Sequence, residues 1–145
     1  MGYKLGNRSL QNLSGVHPDM IAVVKRAIEL SEQDFSVLEG VRNINRQREL
    51  VKSGKSTTMN SRHLTGHAVD LVPYPVSWEF EDFYPVIDAI KSASIELDIP
   101  IRWGGNWQVD DIRTWEGDSC SLQEAYTGKF HDLPHIELPK GFGYD

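Results

Sequence analysis

The chain has 145 residues, 39% of them hydrophobic, a single cysteine and a net charge of −6. A chain of this size buries roughly 68–70% of its unfolded surface as one domain, so neither a disulfide nor a metal is needed merely to hold it together. Cys120 excludes an internal disulfide, and the acidic balance with scattered basic residues argues against a nucleic-acid backbone as partner.

In chain order, the N-terminal segment shows no apolar core of secretory length, and no run approaches a membrane span. Gly6 stands where an N-myristoylation signal needs Ser or Thr. A helix is expected from Pro18, with Met20, Ile21, Val24, Ala27 and Ile28 on one stripe and His17 serving its start. "DFSVLEGVR" reads as a strand with Phe35 and Val37 on one face, and "NRQRELVKSG" as a short helix stopped by Gly54. A polar loop, 55–62, leads to a strand in "HAVDLVP". A second long helix follows in "SWEFEDFYPVIDAIKSASIELDI", where Pro85 is tolerable within a first turn. "PIRW" is a short strand, "GGNW" a tight turn, and 108–130 a long polar connection of the kind that forms lids or binding loops. "HIELP" closes the chain as a strand, with His135 and Glu137 sharing a face. The fold class is α+β, a single domain with helices packed on a small antiparallel sheet.

The chemistry concentrates in "SRHLTGHAVD". His63 on the incoming loop and Asp70 on the outgoing strand can converge if Thr65-Gly66 folds the chain between them. A catalytic zinc site needs three protein ligands and an open position, and "HDLPHIEL" offers His135 as the third. Asp132, three residues earlier, is then left to take a proton from water, which makes these the parts of a metallopeptidase. His67 falls at the rim of such a pocket as a candidate substrate contact, and His131 competes for the role of base or ligand. Cys120, alone in a loop, reads as a free thiol. The acidic residues Asp110, Asp111, Glu116 and Asp118 read as solvated surface charge.

"SRHLTGHAVDLVP" and the later "DLPHIE", in that order and with "RWGGNW" between them, resemble the D-alanyl-D-alanine metallopeptidase superfamily. The branch most similar is that of phage endolysins of the L-alanyl-D-glutamate peptidase type. The resemblance implies one Zn2+ held by His63, Asp70 and His135, with Asp132 as catalytic base. It further implies that Arg42 steadies the substrate carbonyl and oxyanion, that Ser61 binds substrate, and that Glu137 orients a ligand histidine. Asn106 departs from the pattern, standing where relatives carry an acid. Trp103 and Trp107 read as core and pocket wall.

The implied substrate is the stem peptide of bacterial peptidoglycan, cut to lyse the host wall. Charge and the lack of a long apolar run lead us to expect no nucleic acid or stable membrane partner, and the resemblance implies synthesis in the host cytoplasm and action in the periplasm after a holin opens the membrane. No separate wall-binding domain is expected. A D-alanyl-D-alanine carboxypeptidase or dipeptidase, and a non-catalytic zinc-binding module on the same fold, are the alternatives.

Overall fold

The computed structural model describes residues 2–56 and 58–144; Thr57, in the loop expected at 55–62, lies outside them. Strands β1 (Phe35–Glu39), β2 (Ala68–Pro73), β3 (Arg102–Trp103) and β4 (His135–Glu137) form one antiparallel sheet in the order β1-β2-β4-β3. Around it lie helices α1 (Asn7–Asn12), α2 (Pro18–Leu30), α3 (Ile44–Lys52), α4 (Phe80–Leu97) and α5 (Ser119–Glu124). The α+β reading is the observed one.

Strand alternation divides the sheet into two chemically different faces. Val69 pairs with Ile136, and Ile136 with Trp103, so one row of apolar side chains crosses β2, β4 and β3. That face is buried against α2 and α4. Met20, Val23, Val24, Ala27 and Ile28 come from α2, and Phe83, Val86, Ile87, Ile90 and Ala93 from α4. The opposite face carries Asp70 opposite His135 and Arg102 opposite Glu137.

The helix starts follow local chemistry. The His17 Nδ1 accepts the backbone N–H of Asp19 at 3.0 Å and caps α2, with Pro18 at the first helical position. Asn43 caps α3 by accepting from Arg46 N at 2.8 Å. Pro85 sits in the second turn of α4, not the first, so the helix loses one internal hydrogen bond there. That costs about 3 kcal/mol. Burying Phe83, Val86, Ile87 and Ile90 contributes roughly 1.5–3 kcal/mol each, so the helix persists.

Two short helices escape sequence periodicity. The first, α1, covers the outer edge of β1, where Ser9 Oγ accepts from Val37 N and Asn12 Nδ2 donates to Val37 O. These bonds occupy an edge that would otherwise invite another strand. The second, α5, lies inside the expected 108–130 loop and carries Cys120, whose thiol donates to Glu124. Two of the acids in that segment are structural: Asp118 caps α5, and buried Asp111 caps the turn Ile112–Thr114 while pairing with Arg113; Asp110 and Glu116 are exposed, as expected.

Near the C-terminus the Tyr144 hydroxyl donates to Asp19 Oδ2 at 2.6 Å, and its ring packs edge-on against His17. Burial and then the Asp19 carboxylate push the phenol up to about 12. A phenol raised above its unfolded value of about 10 stabilises the fold below pH 10, and that contribution fades as pH rises through 12. Tyr144→Phe is expected to cost about 1 kcal/mol at pH 8. In denaturant titrations across pH, the gap to the wild type should close between pH 10 and 12; a gap of constant size would contradict the tether.

Candidate metal centre

The polar face of the sheet is shaped by one irregularity. Between Val37 and Glu39 the pairing of β1 with β2 slips by a residue, so Glu39 rather than Leu38 faces Asp70. Without that bulge an apolar side chain would stand over the site; with it, Leu38 is thrown outward and is 50% exposed. Glu39, Asp70 and His135 consequently line up across three neighbouring strands. Gly40 follows directly. A β-carbon there would lie 1.9 Å from the Asn12 carbonyl oxygen, so only glycine brings β1 this close to α1.

His63 reaches the same point from a short 3-10 turn, Arg62–Thr65. Ser61 Oγ caps the turn by accepting from His63 N at 3.2 Å, and Gly66 ends it at φ +77°. A side chain at Gly66 would also press on the Gly15 carbonyl. The Thr65-Gly66 fold expected between His63 and Asp70 is therefore present. His135 and Asp132 are fixed by a second glycine. Gly104 N donates to His135 O at 2.8 Å, Asp132 N donates to Gly104 O at 2.9 Å, and a β-carbon at Gly104 would meet Asp132 O at 2.2 Å.

Donor atoms of His63, Asp70 and His135 all fall within 4.8 Å of one another. His63 Nε2 stands 3.1 Å and His135 Nδ1 3.5 Å from Asp70 Oδ1. The far ring nitrogens are already committed. His63 Nδ1 donates to the Gly40 carbonyl at 2.9 Å, and His135 Nε2 donates to Glu137 Oε1 at 2.8 Å. With those protons placed, each imidazole presents a bare lone pair toward a carboxylate oxygen. Three acceptors facing one another require a cation between them, and two neutral imidazoles with one carboxylate suit a divalent transition metal. Without metal a proton fills the role. Burial opposes it, but Asp70 and Glu137 push His135 up to about 10. Burial likewise raises Asp70, and hydrogen bonds from His135 and His63 outweigh it, holding Asp70 well below the usual carboxylate range.

Around this point lies a cleft of about 650 Å³ lined by Arg42, Ser61, Trp107, Tyr126, Phe130 and Asp132, among others. Asp132 is half-buried. Burial pushes its carboxyl up, His135 pulls it down, and the Asp70 charge adds to the rise. Its proton affinity is thus shifted toward that of a general base. Arg42 is gripped by both oxygens of Glu39 at 2.8 and 3.0 Å, by Gln47 Oε1 at 2.8 Å and by Asp70 Oδ2 at 3.4 Å. Burial raises Glu137, and His135 with Arg102 more than reverses it, so Glu137 stays ionised beneath His135.

Of the residues singled out in the sequence, His63, Asp70, His135, Asp132, Arg42, Ser61 and Glu137 all line this cleft. His67 lies elsewhere: its ring packs against His17 and Tyr144, and its Nδ1 contacts Thr65 Oγ1. Strand alternation explains this, because residue 67 is out of phase with Asp70. His131 pairs with Gln123 and packs against Phe80 and Tyr126, apart from the three donors. Asn106 donates to Leu122 O and accepts from Gln108 N, a pairing an acid could not make because a carboxylate has no donor. Trp103 is core and Trp107 is cleft wall. Glu39 and Gln47 were missed. The first depends on a bulge that no alternation pattern reveals, and Gln47 occupies an ordinary polar position of α3 although it is fully buried.

The family model for phage L-alanyl-D-glutamate peptidase matches residues 1–139, a span holding all three donors. The L-alanyl-D-glutamate peptidase of Escherichia phage T5 is 32% identical over 136 residues, covering 84% of this chain and 99% of that protein. The L-alanyl-D-glutamate peptidase of Listeria phage A118 is 27% identical over 146 residues, covering 96% of this chain but 44% of the longer relative. The crystal structure of the Serratia marcescens L-Ala D-Glu endopeptidase ChiX aligns with a TM-score of 0.74 at 39% identity, over 94% of this chain and 90% of that one. The chain belongs to the phage L-alanyl-D-glutamate peptidase family.

Proposed function

We propose that this protein is an endolysin that hydrolyses the L-alanyl-D-glutamate bond in the stem peptide of bacterial peptidoglycan. In this reading His63 Nε2, Asp70 Oδ1 and His135 Nδ1 hold one zinc ion. The observation that carries it is the convergence of three metal-seeking lone pairs beside a carboxyl of raised proton affinity. Bound at that point, zinc would supply Lewis acidity, polarising the scissile carbonyl and lowering the pKa of water toward about 7.

The remaining work falls to the chain itself. Asp132 accepts the proton of the attacking water and returns it to the departing amine of D-glutamate. Arg42, immobilised by Glu39 and Gln47, presents a fixed positive charge toward oxygen as negative charge develops there. Glu137 and the Gly40 carbonyl keep both imidazoles in the ligating tautomer. Ser61 holds the turn carrying His63 and lines the approach of the peptide.

The substrate lies outside the inner membrane, and among the described residues no helix is long and apolar enough to cross one. We infer synthesis in the host cytoplasm and action in the periplasm after a holin opens the membrane. The phage origin of the relatives supports that route.

Zinc-loaded protein incubated with purified peptidoglycan is expected to expose new D-glutamate amino termini, read by mass spectrometry of the fragments. Release of terminal D-alanine alone would show the L-alanyl-D-glutamate assignment to be wrong. Chelation should abolish lysis of outer-membrane-permeabilised Gram-negative cells, and added zinc should restore it. Asp132→Ala is expected to keep its metal while losing about 10²–10⁴-fold in turnover. His63→Ala should lose both, and a full complement of zinc in that variant would overturn the ligand set.

A further inference from the structure

The cleft also contains Arg102, a cation whose charge so far serves only to help keep Glu137 ionised. Arg102 faces Glu137 across β3 and β4, in the row beside Asp70 and His135. Positions two apart on one strand are about 6.6–6.8 Å apart, so Arg102 stands one step from the donor cluster on the same face. Its guanidinium lies 5.2 Å from the centre of the Trp107 ring, and Nε and Nη2 both donate to the Trp107 carbonyl. Those contacts fix the orientation of the group. Nη1 is 3.9 Å from Glu137 and Nε is 4.0 Å from Asp110, distances too long for hydrogen bonds.

The other cleft cations compare poorly as ligand-reading groups. Arg42 is clamped by Glu39, Gln47 and Asp70, and buried Arg62 donates from Nε and Nη2 to the Leu138 carbonyl. Lys55 and Lys140 are exposed at the rim on flexible stems. Arg102 combines a strand position, a guanidinium seated over the Trp107 ring and a side chain 31% exposed, in the cleft lining.

If the proposed function holds, on which this inference rests, the residue after the scissile bond is D-glutamate. Whichever of its carboxyls carries the rest of the stem, the other remains free, a few bonds from the reacting carbonyl. We propose that Arg102 is a specificity-determining residue that binds this free carboxylate through the Nη1 edge of its guanidinium. A planar fork matches a carboxylate better than an ammonium does, and the charge-assisted pair selects against the amidated form of the same peptide.

The test compares kcat/KM on two synthetic peptides, one with the D-glutamate carboxylate free and one with it converted to a primary amide. The wild type is expected to prefer the free acid by about 10- to 100-fold, the strength of a hydrogen-bonded charge pair. Arg102→Gln should lower kcat/KM on the acid peptide by a similar factor beyond any loss, common to both peptides, from weaker support of Glu137, and so erase the preference. Arg102→Lys should recover part of it. Equal losses on both peptides, the mark of a merely structural role, would overturn the proposal, as would an unchanged preference in Arg102→Gln or no preference in the wild type. Failure of the wild type to cut either peptide would instead refute the peptidase reading and this inference with it.

Discussion

Asp70 Oδ1 is the acceptor on which both His63 and His135 are trained, and the architecture of the site follows from making that arrangement tolerable. Placing two imidazoles against one buried carboxylate is costly unless each ring has its remaining nitrogen satisfied and a positive charge occupies the gap. The Gly40 carbonyl and Glu137 meet the first demand. A metal, or in its place the proton that His135 binds so tightly, meets the second. Misplacing either outer partner would let a ring rotate or change tautomer, and the three lone pairs would no longer share a point.

The scaffold achieves this with two glycines and a slip in strand pairing. Gly40 lets β1 pass close to α1 and aims its carbonyl at His63; Gly104 lets the Asp132–His135 segment lie against the "WGG" turn. The bulge after Val37 exchanges an outward leucine for Glu39, which holds Arg42. The catalytic groups thus depend on backbone contacts beneath them, while the apolar face of the same sheet is sealed by α2 and α4. One sheet divides the labour: its back makes the core, its front the chemistry.

Much of this was legible in the residues. Strong periodicity gave both long helices, and alternation in "HAVDLVP" and "HIELP" put Asp70, His135 and Glu137 on their faces. The pairing of the two motifs gave the donor set. What stayed hidden was of three physical kinds. Helices α1 and α5 have six residues each, too short for a periodic signal. Glu39 owes its place to a bulge, and Gln47 to a long-range bond with Arg42 that an isolated helix does not announce. His67 lay inside the motif yet points away, because it precedes Asp70 by three residues, an odd number that puts the two on opposite faces of an extended chain.

The site stands or falls on which atoms meet. Zinc-edge X-ray absorption on the loaded protein, followed by a crystal structure with anomalous scattering, addresses it directly. Two imidazole nitrogens and one carboxylate oxygen are expected at about 2.0–2.2 Å, contributed by His63 Nε2, His135 Nδ1 and Asp70 Oδ1. A metal bound through His135 Nε2, or seated away from Asp70 altogether, would contradict that ligand set.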